Sequence, residues 1–236
     1  MINQIKNYGL NVNANYTGVV FAASHLDFSG AGSLVDNSLT LAGEGTLTLS
    51  GEGELSLSGH GHLTLFLSPN TSFSITSSIA AEQSLELTLT GTAEAHTRLH
   101  HHIELNQNSS YSEHVALKVT GHLDLFTQVT HLAKSSSKLT TKLVLNDGAK
   151  AIARGTIIID VDAAGSIASE RLDALLLGEK AEADLLPVLQ VATDDVSCKH
   201  GATVGHADQN VLFYLQSRGL DDASSKRVLA DAFLNS

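Results

Sequence analysis

The sequence predicts an all-β chain, a flattened parallel β-solenoid (β-helix) followed by a short C-terminal helical hairpin. Three observations predict it: an eight-residue internal repeat, a period-two alternation of apolar residues that outlasts the repeat, and a change to helical periodicity near the end of the chain.

Ser38–Gly45 reads SLTLAGEG, Thr46–Gly53 reads TLTLSGEG and Glu54–Gly61 reads ELSLSGHG; a fourth copy opens at His62 and breaks at Pro69. Leucines two apart share one face of a strand, and the Ser or Thr between them faces water. The Gly-x-Gly that closes each unit suits a tight turn. One such strand cannot bury its own leucines, whereas stacked copies can. An antiparallel meander and a solenoid with two octads per coil both satisfy this pattern. The solenoid is favoured because near-identical copies present the same side chains at each level. Leu39, Leu47, Leu55 and Leu63 are then buried, with parallel pairing between coils.

After Pro69 the alternation continues through Phe73/Ile75, Leu85/Leu87/Leu89, Ile103/Leu105, Val115/Leu117/Val119, Leu123/Leu125 and Ile157/Ile159/Val161. Residues 38–205 therefore read as one β-helix core, and residues 1–37, with weaker strands, as a cap or irregular first coil. In 206–236 Asp208 is a plausible N-cap and Gly219 a helix stop. Asp221 and Asp222 open a second helix with Val228, Leu229, Ala232 and Phe233 on one face. The aromatic pair Phe213 and Tyr214 is expected to pack onto the solenoid.

The composition agrees. Aromatic residues make up 5% of the 236, Trp is absent and Pro occurs twice, against 19 Gly, which favours short strands and Gly turns over a helical bundle. The formal charge is −11, from 14 basic and 25 acidic residues, and such a surface argues against nucleic-acid and membrane partners. A single cysteine, Cys198, precludes an internal disulfide. Met1–Lys6 lacks the apolar core of a signal peptide, so the expectation is a cytoplasmic protein.

No G-x-S-x-G elbow, phosphate-binding loop or dinucleotide fingerprint is present, and no catalytic residue is assigned. Asp160/Asp162 and Asp194/Asp195 read as loop and surface acids. Twelve histidines raise a metal question: His60/His62 and His100/His102 can each present two imidazoles on one strand face, or form an exposed polar ladder in which His60 replaces the Glu52 of the preceding octad. The ladder is the preferred reading, since the spacing supplies too few ligands. Cys198 and His200, two apart, form a soft pair suited to iron, zinc or sulfur transfer if the strand of Val196 continues through them. Two ligands are half a site, which points to others from a second chain; a small buried Cys beside a surface His is the plainer alternative.

Asp194–Gly205, DDVSCKHGATVG, is very similar to the DDVxCxHGATVG signature of the SufB/SufD family, and to its SufD branch most of all. Phe213–Leu220 resembles the FYLxSRGI helix that follows it. Leu175–Pro187 resembles the family's LLLS-x-KA-x-A-D-x-x-P segment, and Asn146–Lys150 with Gly155 a D-G-A coil. The resemblance covers about Leu139 to the C-terminus. It implies a right-handed parallel β-helix serving as a non-enzymatic scaffold for building iron–sulfur clusters. It also implies a SufB-like partner, or a second copy of the chain, facing Cys198 and His200, and an ABC-type ATPase (SufC) docked around Phe213, Tyr214 and Arg218. ATP enters only through that ATPase. With one cysteine, no cluster is held stably by this chain alone; iron or a transient cluster is shared with a partner through Cys198 and His200. The sequence has no counterpart of the family's N-terminal helical domain or of SufB's further cysteines. A carbohydrate-active solenoid enzyme and a purely structural solenoid are the rival readings.

Overall fold

The computed structural model describes residues 10–12, 19–21, 24–68 and 70–236. Met1–Lys6, most of the remaining residues before Ser24, and Pro69, where the repeat breaks, lie outside them.

The chain is 67% strand and winds into a parallel β-solenoid of about six turns with two C-terminal helices. Strands β1 (Leu10–Val12) and β2 (Val19–Phe21) pair antiparallel with β3 (Ser24–Val35). The octads form one continuous strand, β4 (Ser38–Leu67). Then follow β5 (Ser72–Ile79), β6 (Ser84–Ala93), β7 (His96–Leu105), β8 (Ser110–Val119), β9 (His122–His131), β10 (Ser136–Leu145), β11 (Lys150–Ile159), β12 (Ser166–Leu176), β13 (Glu182–Val191) and β14 (Val196–His206). The order β13-β11-β9-β7-β5-β4-β6-β8-β10-β12-β14 places odd-numbered strands on one wall and even-numbered strands on the other, with β4 wrapping both. Every pairing from β5 onward is parallel.

Leu39, Leu47, Leu55 and Leu63 are all buried, as the octad predicts. The first half of β4 also rises beneath its own second half: the Ser56 amide donates to the Asn37 carbonyl at 2.8 Å and the Ser68 amide to Leu49 at 2.9 Å. Glycine is needed at this crossing. Gly59 (φ +98°) and Gly61 (φ +120°) lie against the Leu41 and Gly43 carbonyls, and a Cβ at either would collide with the backbone. On its other side, Ser38–Gly51 pairs antiparallel with β3, with Leu34 opposite Leu39 and Leu26 opposite Leu49.

The coils are longer than two octads. Hydroxyls stacked between neighbouring coils, Thr40 and Ser58, are 18 residues apart in sequence; His62 and Thr88 are 26 apart, and Arg171 and Thr203 are 32 apart. Corners consume residues that the repeat length does not count, and the later turns carry insertions such as Asp160–Gly165. One such insertion takes Val161 out of the core: it follows the end of β11 and is 62% exposed.

Helix α1 (Gln209–Ser217) starts at Asp208, whose carboxylate accepts from the Asn210 amide, and α2 (Asp222–Leu234) starts at Asp221, which accepts from Ser224. Gly219, at φ +95°, ends the first. The hairpin folds back on the outer face of the even wall: Lys118 Nζ donates to Asp231 Oδ1 at 2.7 Å, and Lys142 bonds Ser236 and lies 5.9 Å from the Phe233 ring centroid. Leu212, Ser225 and Ala230 occupy the covered side.

The expected packing of Phe213 and Tyr214 does not occur: they are 73% and 56% exposed. A nine-residue helix turns one side to the solenoid, Leu212 takes it, and the next two residues rotate outward by about 100° each. On α2, Val228 and Ala232 face solvent for the same reason, and Ala230, off the expected stripe, is buried together with Ser225.

Candidate functional site

Cys198 and His200 lie on β14, the last strand of the even wall. Their register partners on β12 are Ala168 and Glu170, both buried, so the two side chains share the inward face of the final coil. No further strand pairs with β13 or β14 among the described residues, so this inward face opens to solvent. Cys198 is half-buried against the core and His200 is exposed. Across from them Leu185 and Leu189 of β13 are half-buried, while Val191 and Val204 are more than 40% exposed. The end therefore combines apolar side chains, two free strand edges and a thiol–imidazole pair, as an interface does.

Beneath that pair the core changes character. In the even wall Leu63, Leu87, Glu113, Leu139, Glu170 and His200 stack in one ladder. In the odd wall Leu55, Ile75, His101, Thr127, Gly155 and Pro187 form another. Both begin as the aliphatic ladder of the octads and turn polar towards the open end. Glu113 crosses the interior: its Oε2 lies 3.2 Å from His101 Nδ1 and accepts from the Tyr111 hydroxyl at 2.7 Å, and its Oε1 accepts from Thr127 Oγ1 at 2.9 Å. Ser77 Oγ, 2.8 Å from His101 Nε2, completes the network. Burial alone raises the Glu113 pKa, but the hydrogen bonds and charge of His101, with the Tyr111 and Thr127 donors, hold it below the usual carboxylate range. Burial, and then Glu113, push the Tyr111 hydroxyl well up.

Glu170 repeats the gesture without a partner. It is 3% exposed, neither carboxyl oxygen has a hydrogen-bond partner, and the group fills the space a side chain at Gly155 would occupy. Burial, with a contribution from Glu113, pushes its pKa up to about 8. His131, also buried, is held down to about 4 by burial, its ring 2.8 Å from Ser135 Oγ and 2.9 Å from Ser137 Oγ.

Burial raises the Cys198 thiol pKa, opposed by a backbone hydrogen bond with Ala168. The thiol thus keeps its proton at neutral pH and becomes a strong soft ligand only when a metal or a base displaces it. Among the described residues no three His, Cys, Asp or Glu side chains are placed to hold a metal ion together. The histidine groups separate: His101 points into the core, whereas His100 and His102 point outward and both pack edge-to-face with the Phe126 ring, with centroids 5.7 and 5.3 Å away. His62 lies 2.9 Å from the Thr88 hydroxyl.

At the tail, the Arg218 guanidinium lies 5.3 Å from the Tyr214 ring centroid. Val211 is exposed on the same side of α1, whereas Phe213, exposed on another side, helps line a cavity of about 690 Å³ with Asp147, Leu177, Lys180, Leu212 and Lys226.

Residues 70–233 match the family model described as the SUF system FeS cluster assembly SufBD core domain. The chain belongs to the SufBD family of iron–sulfur cluster assembly proteins. It is 35% identical over 98 residues to the iron-sulfur cluster assembly protein SufD of Escherichia coli, covering 42% of this chain and 23% of that one. It is 36% identical over 109 residues to SufD of Bacillus subtilis, covering 46% and 25%. A SufBD family protein of Mycobacterium tuberculosis is 34% identical over 114 residues, 48% of this chain and 14% of that one. The matched segment thus spans a quarter or less of these relatives. The SufBD core domain includes the whole polar column, the open end and most of the tail.

Proposed function

We propose that this SufBD family chain is a non-enzymatic, cytoplasmic scaffold subunit that builds iron–sulfur clusters together with other chains. Its open end pairs with a SufB-like chain or a second copy of itself, and the exposed face of α1 around Phe213, Tyr214 and Arg218 docks a SufC-type ABC ATPase. ATP is used only by that ATPase. Cys198 and His200 offer one sulfur and one nitrogen ligand to iron or to a cluster in transit, and the partner supplies the rest.

The observation that carries this reading is the position of the pair: inward-facing on the last coil, at an uncovered end with two free strand edges. A metal held there has half its coordination open to a second chain. No helix among the described residues is long and apolar enough to cross a membrane, and the acidic surface gives no support for nucleic acid. The test is cluster assembly followed by visible absorbance in the reconstituted complex. His200→Ala is expected to leave the fold and the complex intact and to slow or abolish cluster formation. Equal rates and yields in an assembled mutant complex would refute the site.

A further inference from the structure

We propose that the outer face of the even wall, beside the open end, binds a tetrahedral oxyanion of the kind a phosphate-bearing small molecule presents. The register of β10, β12 and β14 brings the groups together. Lys138, Ser169 and Lys199 are stacked neighbours, and Arg171, two residues along β12 on the same face, sits between Thr140 and Gly201. These residues and His200 line a cavity of about 330 Å³, a small-molecule size.

Arg171 is already fixed. Its Nε donates to the two Asp173 carboxylate oxygens at 2.8 and 2.9 Å, and its Nη2 donates to Thr203 Oγ1 at 2.7 Å. Nη1 remains, lying over Gly201, where even a Cβ would come within 3.3 Å of it. A side chain at 201 would crowd this approach; glycine keeps it open. Asp173 neutralises Arg171, but among the described residues neither Lys138 nor Lys199 makes an ion pair. Lys138 and Lys199 flank Ser169 from the two neighbouring strands, and this basic cluster stands out on a chain of net charge −11. The His114 imidazole, one strand further on, is held below its usual pKa by burial and then by Lys142 and Lys138, with Glu86 opposing. The remaining guanidinium nitrogen of Arg171, two ammonium groups and the Ser169 and Thr140 hydroxyls form a donor set that a tetrahedral oxyanion takes. Glu170 also lines the cavity, but its buried carboxyl turns away from this face into the space over Gly155.

The experiment titrates inorganic phosphate, and separately a phosphomonoester, into the full chain at constant ionic strength by calorimetry. Lys138→Gln/Lys199→Gln is run beside the wild type, with circular dichroism to verify its fold. Saturable binding by the wild type that weakens by about tenfold or more in the double variant is expected. Tighter binding of the phosphomonoester than of phosphate would identify the small-molecule form. A response no larger than that to chloride, or one unchanged in the double variant, overturns the proposal. So does a double variant that binds phosphate normally but loses a protein partner, which would make this face an interface. None of these readouts depends on cluster assembly.

Discussion

Replacing Glu170 with Gln should make the protein more stable at neutral and alkaline pH while leaving it nearly unchanged in acid. The carboxyl is buried without a partner, and its pKa rises from 4.5 to about 8. An acid whose folded pKa is raised supports folding fully below its unfolded pKa and loses that support as pH rises towards the folded one. At about 1.36 kcal/mol per pH unit, the loss is about 3 kcal/mol by pH 7 and levels off near 5 kcal/mol above pH 8. Gln keeps the shape and does not ionise, so the difference between variant and wild type isolates this group. It also cancels His131, which acts in the opposite sense: its pKa falls from 6.5 to about 4, so its neutral ring loses stability as pH drops through that window. The assay is chemical denaturation of both proteins from pH 4.5 to 9, supported by thermal midpoints that should separate by roughly 6–12 °C at pH 7. A difference that stays flat across that range would refute the claim that Glu170 is a buried, unpaired acid.

Three further outcomes follow from the same column and its surroundings. Glu113→Ala removes the buried partner of His101 and the acceptor of the Tyr111 and Thr127 hydroxyls, and should lower stability by about 3–5 kcal/mol by denaturant titration, far more than a surface substitution does. Leu63→Ala, in the aliphatic part of the ladder, should cost about 2–5 kcal/mol in the same assay. Phe213→Ala/Tyr214→Ala should change stability by less than about 0.5 kcal/mol, because both rings are exposed. It should nevertheless abolish binding of the ATPase in a pull-down, and undiminished binding would remove the docking assignment.

The octads made the wall construction legible, since a side-chain period of two and a fixed repeat leave few ways to bury Leu39, Leu47, Leu55 and Leu63. Coil length was not legible, because corner residues do not show in a repeat whose copies run on as one strand. The spacing of two, on a strand continuing from Val196, placed Cys198 and His200 on a shared face, and the register bears that out. The interior column beneath them was missed, although a signal existed. Reading β8 and β12 at period two puts Glu113 between Tyr111 and Val115, and Glu170 between Ala168 and Leu172, each a charge at an inward position. Gly155 carried no such mark, since only the threading of the opposite wall shows that Glu170 fills its missing side chain. The tail misled for a geometric reason: adjacent aromatic residues on a short helix cannot all face inward once Leu212 has taken that side.

The central claim, a scaffold that works through an uncovered end, is tested most directly by purifying the chain from its native cell and weighing the intact complex by native mass spectrometry. The account predicts this chain bound to a second SufBD family chain or to another copy of itself, together with an ATPase. A lone monomer, under conditions where the cell is assembling iron–sulfur clusters, would contradict it.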